Sequence, residues 1–191
     1  DKEGASQSFI MMGHLSDKYD ADGDHFKSKL MNYPLGGGMS GRFFLNLREN
    51  KGWTYGANSM FMASDKIGAF AMFTSVKTEA TDSALVEIFK EFNSYTSIGI
   101  TDNELRFTKD AFLGGEALKY ETSSQKLGFL NNILTNNLEP TYIDKQAEIL
   151  NTITKSEINA IAKAKIQPDK MSIIIVGNKY LIKEKLKNLA S

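Results

Sequence analysis

Two side chains in the stretch LGGGMSGRFFLNLRENKGWTY, residues 35–55, could do chemistry together: Arg48 and Tyr55, seven positions apart on either side of Gly52. That spacing, across a helix ended by glycine, can aim two hydrogen-bond donors into one cavity. The guanidinium offers a rigid fork of N–H groups and the phenol a single O–H. Neither group generates a nucleophile, so any reaction they serve must take its nucleophile from elsewhere.

The surrounding elements must hold this pair in place. Gly36, Gly37 and Gly38 allow positive φ or close approach of a neighbouring backbone, and Ser40 can cap a helix whose apolar positions are Phe43, Phe44 and Leu47. Gly52 stops that helix. Alternating runs from Tyr55 to Met62 and from Gly68 to Val76 then read as antiparallel strands joined around Ser64 to Lys66. The plain alternative is a well-packed glycine-rich turn with an arginine and a tyrosine at its rim. A remote alternative is a nucleotide site, because Gly36-x-Gly38-x-x-Gly41 fits the dinucleotide fingerprint. Its context is wrong: Phe26, Leu30 and Tyr33 ahead of the glycines have helical spacing, and no Walker-type lysine follows.

Metal binding within the chain is not expected. The two histidines, His14 and His25, are eleven residues apart, no His-x-x-Glu-His motif or its reverse surrounds them, and there is no cysteine. Hydrolytic zinc needs three protein ligands and an open position. The carboxylates of Asp17 to Asp24 (DKYDADGD) resemble a calcium loop superficially, but its twelfth position is Ser28 where a bidentate glutamate is required. A solvated loop, with a helix cap at Asp22 or Asp24, is expected instead.

The chain of 191 residues suffices for one domain with a real core, and its 41% hydrophobic content is that of a globular protein. With 23 basic and 23 acidic side chains it has no net field to attract nucleic acid or an anionic membrane. The basic stretch KYLIKEKLK, residues 179–187, reads as a solvated helix face. No apolar run reaches the roughly 18 residues of a membrane span. The lack of cysteine excludes a disulfide framework and a thiol nucleophile but leaves the compartment open, since periplasmic and cytoplasmic proteins can both lack the residue.

Ser8 to Leu15 reads as a strand covered on both faces. Leu85, Ile88, Phe89, Phe92 and Tyr95 read as one face of a helix capped by Thr81 or Asp82. Another helix starts near Thr101 or Asp102, with Glu104 and Glu116 facing solvent and Gly114-Gly115 marking a bend or a close contact. Further helices are expected at about 123–136, 141–151 and 155–165, then a buried strand from Met171 to Val176. The order predicts an α+β fold: a two-layer sandwich with a largely antiparallel sheet covered by helices on one face.

The segment from Leu35 to Arg42, of the form Leu-Gly-Gly-x-x-Ser-x-Arg, followed by Arg48, Glu49, Gly52 and Tyr55 as Arg-Glu-x-x-Gly-x-x-Tyr, resembles the C-terminal, zinc-free domain of the pitrilysin or insulinase family of metallopeptidases. The lead-in DKEGASQ, residues 1–7, and the late strand fit the same pattern. The resemblance implies a processing-peptidase-like fold and one domain spanning residues 1–191, a fragment or subunit of a larger protease that lacks its first strand. It also implies that a homologous partner domain carries zinc on an inverted His-x-x-Glu-His motif, that Arg48 positions a peptide substrate and that Tyr55 stabilises the oxyanion. The isolated chain should then be inert. The alternative under the same resemblance is a catalytically dead structural or assembly subunit.

Overall fold

The computed structural model describes residues 1–118 and 120–187, with the side chains of all but 116–118. Four strands, β1 (Gln7–Ser16), β2 (Thr54–Ala63), β3 (Gly68–Lys77) and β4 (Ser172–Val176), form one sheet in the order β2-β3-β1-β4. Every neighbouring pair is antiparallel. The β2–β3 hairpin matches its sequence signal to within a residue at each end. Helices α1 (Asp24–Gly36), α2 (Arg42–Phe44), α3 (Thr81–Ser97), α4 (Asp102–Leu118), α5 (Ser123–Asn136), α6 (Tyr142–Thr152), α7 (Lys155–Lys165) and α8 (Lys179–Lys187) complete the chain. No described helix is long and apolar enough to cross a membrane.

The core forms where alternate strand residues meet the helical stripes. Ile10, Met12, Phe70, Met72 and Val76 turn inward against Leu30 and Leu35 of α1 and against Ile88, Phe92 and Tyr95 of α3. The aromatic rings pack edge-on, as Phe43 does on Phe92 with centroids 5.1 Å apart. The expected α+β layering is therefore present.

Both strands expected to be covered on two faces are not. In β1, Phe9 remains 40% exposed and Met11 is exposed too, because the helices cover only the other side of the sheet. A continuous apolar run resembles a doubly buried strand when only alternate residues are buried. β4 lies at the sheet edge, and Ile173, Ile174 and Val176 are exposed.

The caps also differ from expectation. Glycines 23 and 41 precede α1 and α2, so neither Asp22, Asp24 nor Ser40 caps a helix with its side chain. Instead, Asp20 accepts hydrogen bonds from the backbone N–H groups of Asp22 and Asp24. Ala80 precedes α3 after a short 3-10 turn, and Thr81 turns its hydroxyl to Thr78 O and the buried Ser8 hydroxyl. Helix α4 runs unbroken through Gly114 and Gly115, where an added Cβ would meet nothing, so neither is a close contact. Glu116 falls outside the described side chains.

Candidate functional site

Arg48 and Tyr55 are held by two irregular elements. Immediately after α2, residues Leu45–Asn50 form a π-helical turn, which places Lys51 N–H on Asn46 O at 3.0 Å and Gly52 N–H on Arg48 O at 3.1 Å. Such turns are rare and often mark functional positions. Asn46 fixes this turn to α3 by donating to Glu87 at 3.1 Å and to Glu91 at 2.7 Å. Gly52, at φ +63°, then reverses the chain in a conformation that a side chain would strain. Trp53 N–H bonds Leu47 O at 3.0 Å and ties the returning chain to the turn.

Tyr55 sits in a β-bulge. Thr54 pairs with Val76 and Ala57 with Thr74, so β2 carries one residue more than β3 across this interval. A bulge of this kind re-aims a side chain. Two buried threonines clamp it: the Thr74 hydroxyl reaches Thr54 Oγ1 at 3.0 Å and Gly56 O at 2.8 Å, while Gly56 N–H donates to Thr54 Oγ1 at 3.0 Å. The backbone under Tyr55 is thus fixed while its side chain stands 84% exposed.

The two predicted residues come together. The Arg48 guanidinium carbon lies 5.8 Å from the centre of the Tyr55 ring, within cation–π range. Among the described residues neither the guanidinium nor the phenol hydroxyl has a hydrogen bond or an ion pair. A shallow depression of about 270 Å³ lies beside Tyr55 between Phe9, Asn58 and Phe73.

The other arginine of the motif is used differently. Arg42 grips Glu104 with Nε at 2.7 Å and Nη2 at 2.8 Å, donates to Gly99 O at 2.8 Å and stacks over Tyr95 at 4.9 Å. Glu104 also accepts Thr101 N–H at 2.7 Å, while its own N–H bonds the Thr101 hydroxyl, a reciprocal cap on α4. Glu104 is therefore not the solvent-facing residue its helix position suggested. Burial alone would raise its pKa, but the hydrogen bonds from Arg42 and Thr101 and the Arg42 charge hold it below the usual carboxylate range. Sequence reasoning missed this pair because the two residues are distant in the chain; the arginine closing Leu-Gly-Gly-x-x-Ser-x-Arg was its only signal.

The glycine run serves packing. Gly36 ends α1 against β2, where an added Cβ would approach Ser59 N to 2.7 Å. A helix precedes these glycines, so the strand–turn–helix context of a dinucleotide site is absent.

Nor do the described residues fit a catalytic metal. Among the described residues no three His, Asp or Glu side chains could hold an ion together. Both nitrogens of His14 are occupied, Nδ1 donating to Leu15 O at 2.8 Å and Nε2 accepting Gln167 N–H at 3.3 Å. His25 is buried beside Tyr19, with ring centroids 5.5 Å apart.

The family described as the peptidase M16 inactive domain matches over residues 1–112. Non-peptidase homolog YmxG of Helicobacter pylori is 31% identical over 91% of this chain and 40% of its own length. An uncharacterised zinc protease of Mycobacterium tuberculosis is 26% identical over 70% of this chain and 31% of its own length. The chain thus spans well under half of either relative. Among solved structures, the peptidase M16 inactive domain from Pseudomonas fluorescens superposes with a TM-score of 0.81 at 26% identity, covering 90% of this chain and 40% of that one. A Helicobacter pylori protease superposes at 0.80 and 18% identity over 91% of this chain and 42% of its own, a likeness of fold. From the sequence match over residues 1–112 and the shared fold, this chain belongs to the peptidase M16 inactive domain family.

Proposed function

We propose that this chain is the non-catalytic half of a zinc-dependent endopeptidase, in which Arg48 holds backbone carbonyls of an extended peptide and Tyr55 stabilises the charge developing on the scissile carbonyl. The observation that carries this reading is a pair of unengaged donors on clamped backbone. Arg48 and Tyr55 face each other at 5.8 Å with no other polar partner among the described residues, while the bulge and the π-turn beneath them are tied by hydrogen bonds. Donors fixed before the substrate arrives need no reorganisation at the transition state, which is where such stabilisation gains its size. The Arg48 fork suits carbonyl oxygens and sets the register of the peptide.

Zinc belongs in this reading to a homologous partner domain, covalent or separate, where it supplies the attacking water. The residues of this chain bind, orient and stabilise. The test uses the complete protein, partner half included. Tyr55→Phe should lower kcat about 10²-fold. Arg48→Ala should alter both KM and kcat, and the isolated chain should cleave nothing. Full activity in both variants would overturn the assignment.

A second reading, a catalytically dead structural subunit, has one observation in its favour. The Helicobacter relative that is 31% identical to this chain carries the name of a non-peptidase homolog. An inverted zinc motif in the neighbouring polypeptide supports the protease; a neighbour without one supports the structural role.

A further inference from the structure

A cavity of about 430 Å³ lies between α1, α4, α5, α6 and the loop before α1, at the end of the sheet opposite Tyr55. Its size falls within the range of ligand sites. Six aromatic rings, Tyr19, Phe26, Phe112, Tyr120, Phe129 and Tyr142, form most of its wall. They are ordered against one another: Phe129 meets Tyr120 edge-on at 5.1 Å and stacks on Tyr142 at 5.9 Å.

The polar groups in this wall largely satisfy one another. Asn132 takes up the Tyr19 hydroxyl at 3.2 Å and the Tyr142 hydroxyl at 3.3 Å, and accepts Asn136 Nδ2 at 2.9 Å. Gln146 donates to Ala21 O. A strongly polar guest would find few donors or acceptors not already engaged, whereas an aromatic ring would meet edges and faces of its own kind.

This cavity continues toward Tyr55. Lys29 and Phe112 are shared with a second depression of about 270 Å³ lying between α1 and residues 58–61 of β2. Asn58 and Phe73 are shared in turn between that depression and the one beside Tyr55. The three hollows are thus linked in sequence by shared wall residues, beside the seam where α1 covers β2 at Ser59. Tyr19 N–H bonds Ser64 O at 2.7 Å and fixes the aromatic end beside the end of β2. From Tyr55 to Ser64 the extended chain covers roughly 30 Å, the reach of eight or nine residues of an extended peptide.

We infer that the aromatic cavity is a distal anchor for an extended peptide, taking an aromatic side chain eight or nine residues from the bond presented to Tyr55. The inference rests on the peptide-binding reading of Arg48 and Tyr55. The occupant is a peptide because the hollows lead from the pair proposed to hold a peptide toward the aromatic cavity, over a span that fits extended chain.

The test is a titration of this chain with two decapeptides of alanine, serine and threonine, one with a single phenylalanine near its N-terminus and one near its C-terminus. Backbone amide NMR shifts provide the readout. One of the two should move the amides of Asn132 and Gln146 together with those of Asn58 and Ser59. Replacing its phenylalanine by alanine should weaken binding about 10-fold, the worth of burying one aromatic side chain in part, and silence the cavity amides. Phe129→Ala should do the same, whereas Leu134→Ala, on the exposed face of α5, should not. Equal affinity with and without the phenylalanine would overturn the anchor, as would free phenylalanine binding as tightly as the peptide. The readout needs no turnover: anchored binding by a complete protein that cleaves nothing would sink the protease reading alone, and cleavage unchanged by Phe129→Ala would sink the anchor alone.

Discussion

Arg42 and Arg48 stand six positions apart in one motif and are put to opposite uses. The Arg42 fork is engaged through Nε and Nη2, with two contacts to Glu104 and one to Gly99 O, and its face lies against Tyr95. Among the described residues, the Arg48 side chain has the Tyr55 ring as its one partner. Tyr95 and Tyr55 differ in the same way. The first is fully buried and donates to Met31 O at 2.5 Å, whereas the second stands in solvent. The comparison separates arginine that joins the start of α2 to the start of α4 from arginine held ready for a ligand. Substitutions should tell the two apart by what they damage.

The largest stability effect belongs to Arg42. Arg42→Ala strips a half-buried carboxylate of its partner and leaves Gly99 O unmatched, at a cost of about 3 kcal/mol. For a domain of this size that lowers Tm by roughly 6–12 °C, measurable by calorimetry. Tyr55→Phe should leave Tm unchanged and remove about 10²-fold of kcat in the complete protein, near 2.7 kcal/mol of transition-state stabilisation. A Tyr55 variant that melts early, or an Arg42 variant that keeps its Tm, would erase the distinction.

Thr74→Val sharpens the comparison, because it acts on the Arg48 side without touching either donor. The valine keeps the shape of the buried side chain but loses the two hydrogen bonds that Thr74 itself makes to the bulge. The expected loss is about 1–2 kcal/mol of stability. A fall in kcat should accompany it, smaller than that of Tyr55→Phe, as the phenol loses its fixed aim. Unchanged kinetics with lowered Tm would show that the bulge matters to the fold and not to the aim.

What could be read from the chain follows the same division. The hairpin, α1, α3 and helices α5 to α7 were legible because their signals are local, alternation in the strands and helical spacing of apolar residues in the helices; the structure adds capping boxes at Thr122 and Thr154. Arg48 and Tyr55 were legible through their motif. The π-turn and the bulge were not, since each is an accommodation between elements and leaves no periodicity of its own. Glu104 was misread because helix position says nothing of a partner 62 residues away. The exposure of β4 was misread because Ile173, Ile174 and Ile175 report hydrophobicity without reporting a sheet edge.

Acid offers the finest test of the Arg42 end. The Glu104 pKa is lowered below 4.5, while that of Arg42 is raised by the hydrogen bond to Glu104, so the arginine stays charged throughout. A carboxylate whose folded pKa is depressed contributes its full stabilisation above its unfolded value and loses it as pH falls through the folded one. The pair should therefore hold at neutral pH and fail below about pH 4.5, first slowly and then completely once the folded pKa is passed. Glu87, which holds Asn46 of the π-turn, is lowered too, by its hydrogen bonds from Lys90 and then Asn46, and so fails in the same window. His25, lowered by burial and then by Lys29, adds a separate loss that starts near 6.5, where the unfolded imidazole takes up its proton. Only the Glu104 contribution disappears in Glu104→Gln. The Tm difference between wild type and Glu104→Gln should accordingly be constant from pH 7 to about pH 5 and then shrink toward zero on further acidification. A difference that persists undiminished at pH 2 would mean that Glu104 contributes by shape and neutral hydrogen bonding. The contrast between the two arginines would then rest on packing and not on charge.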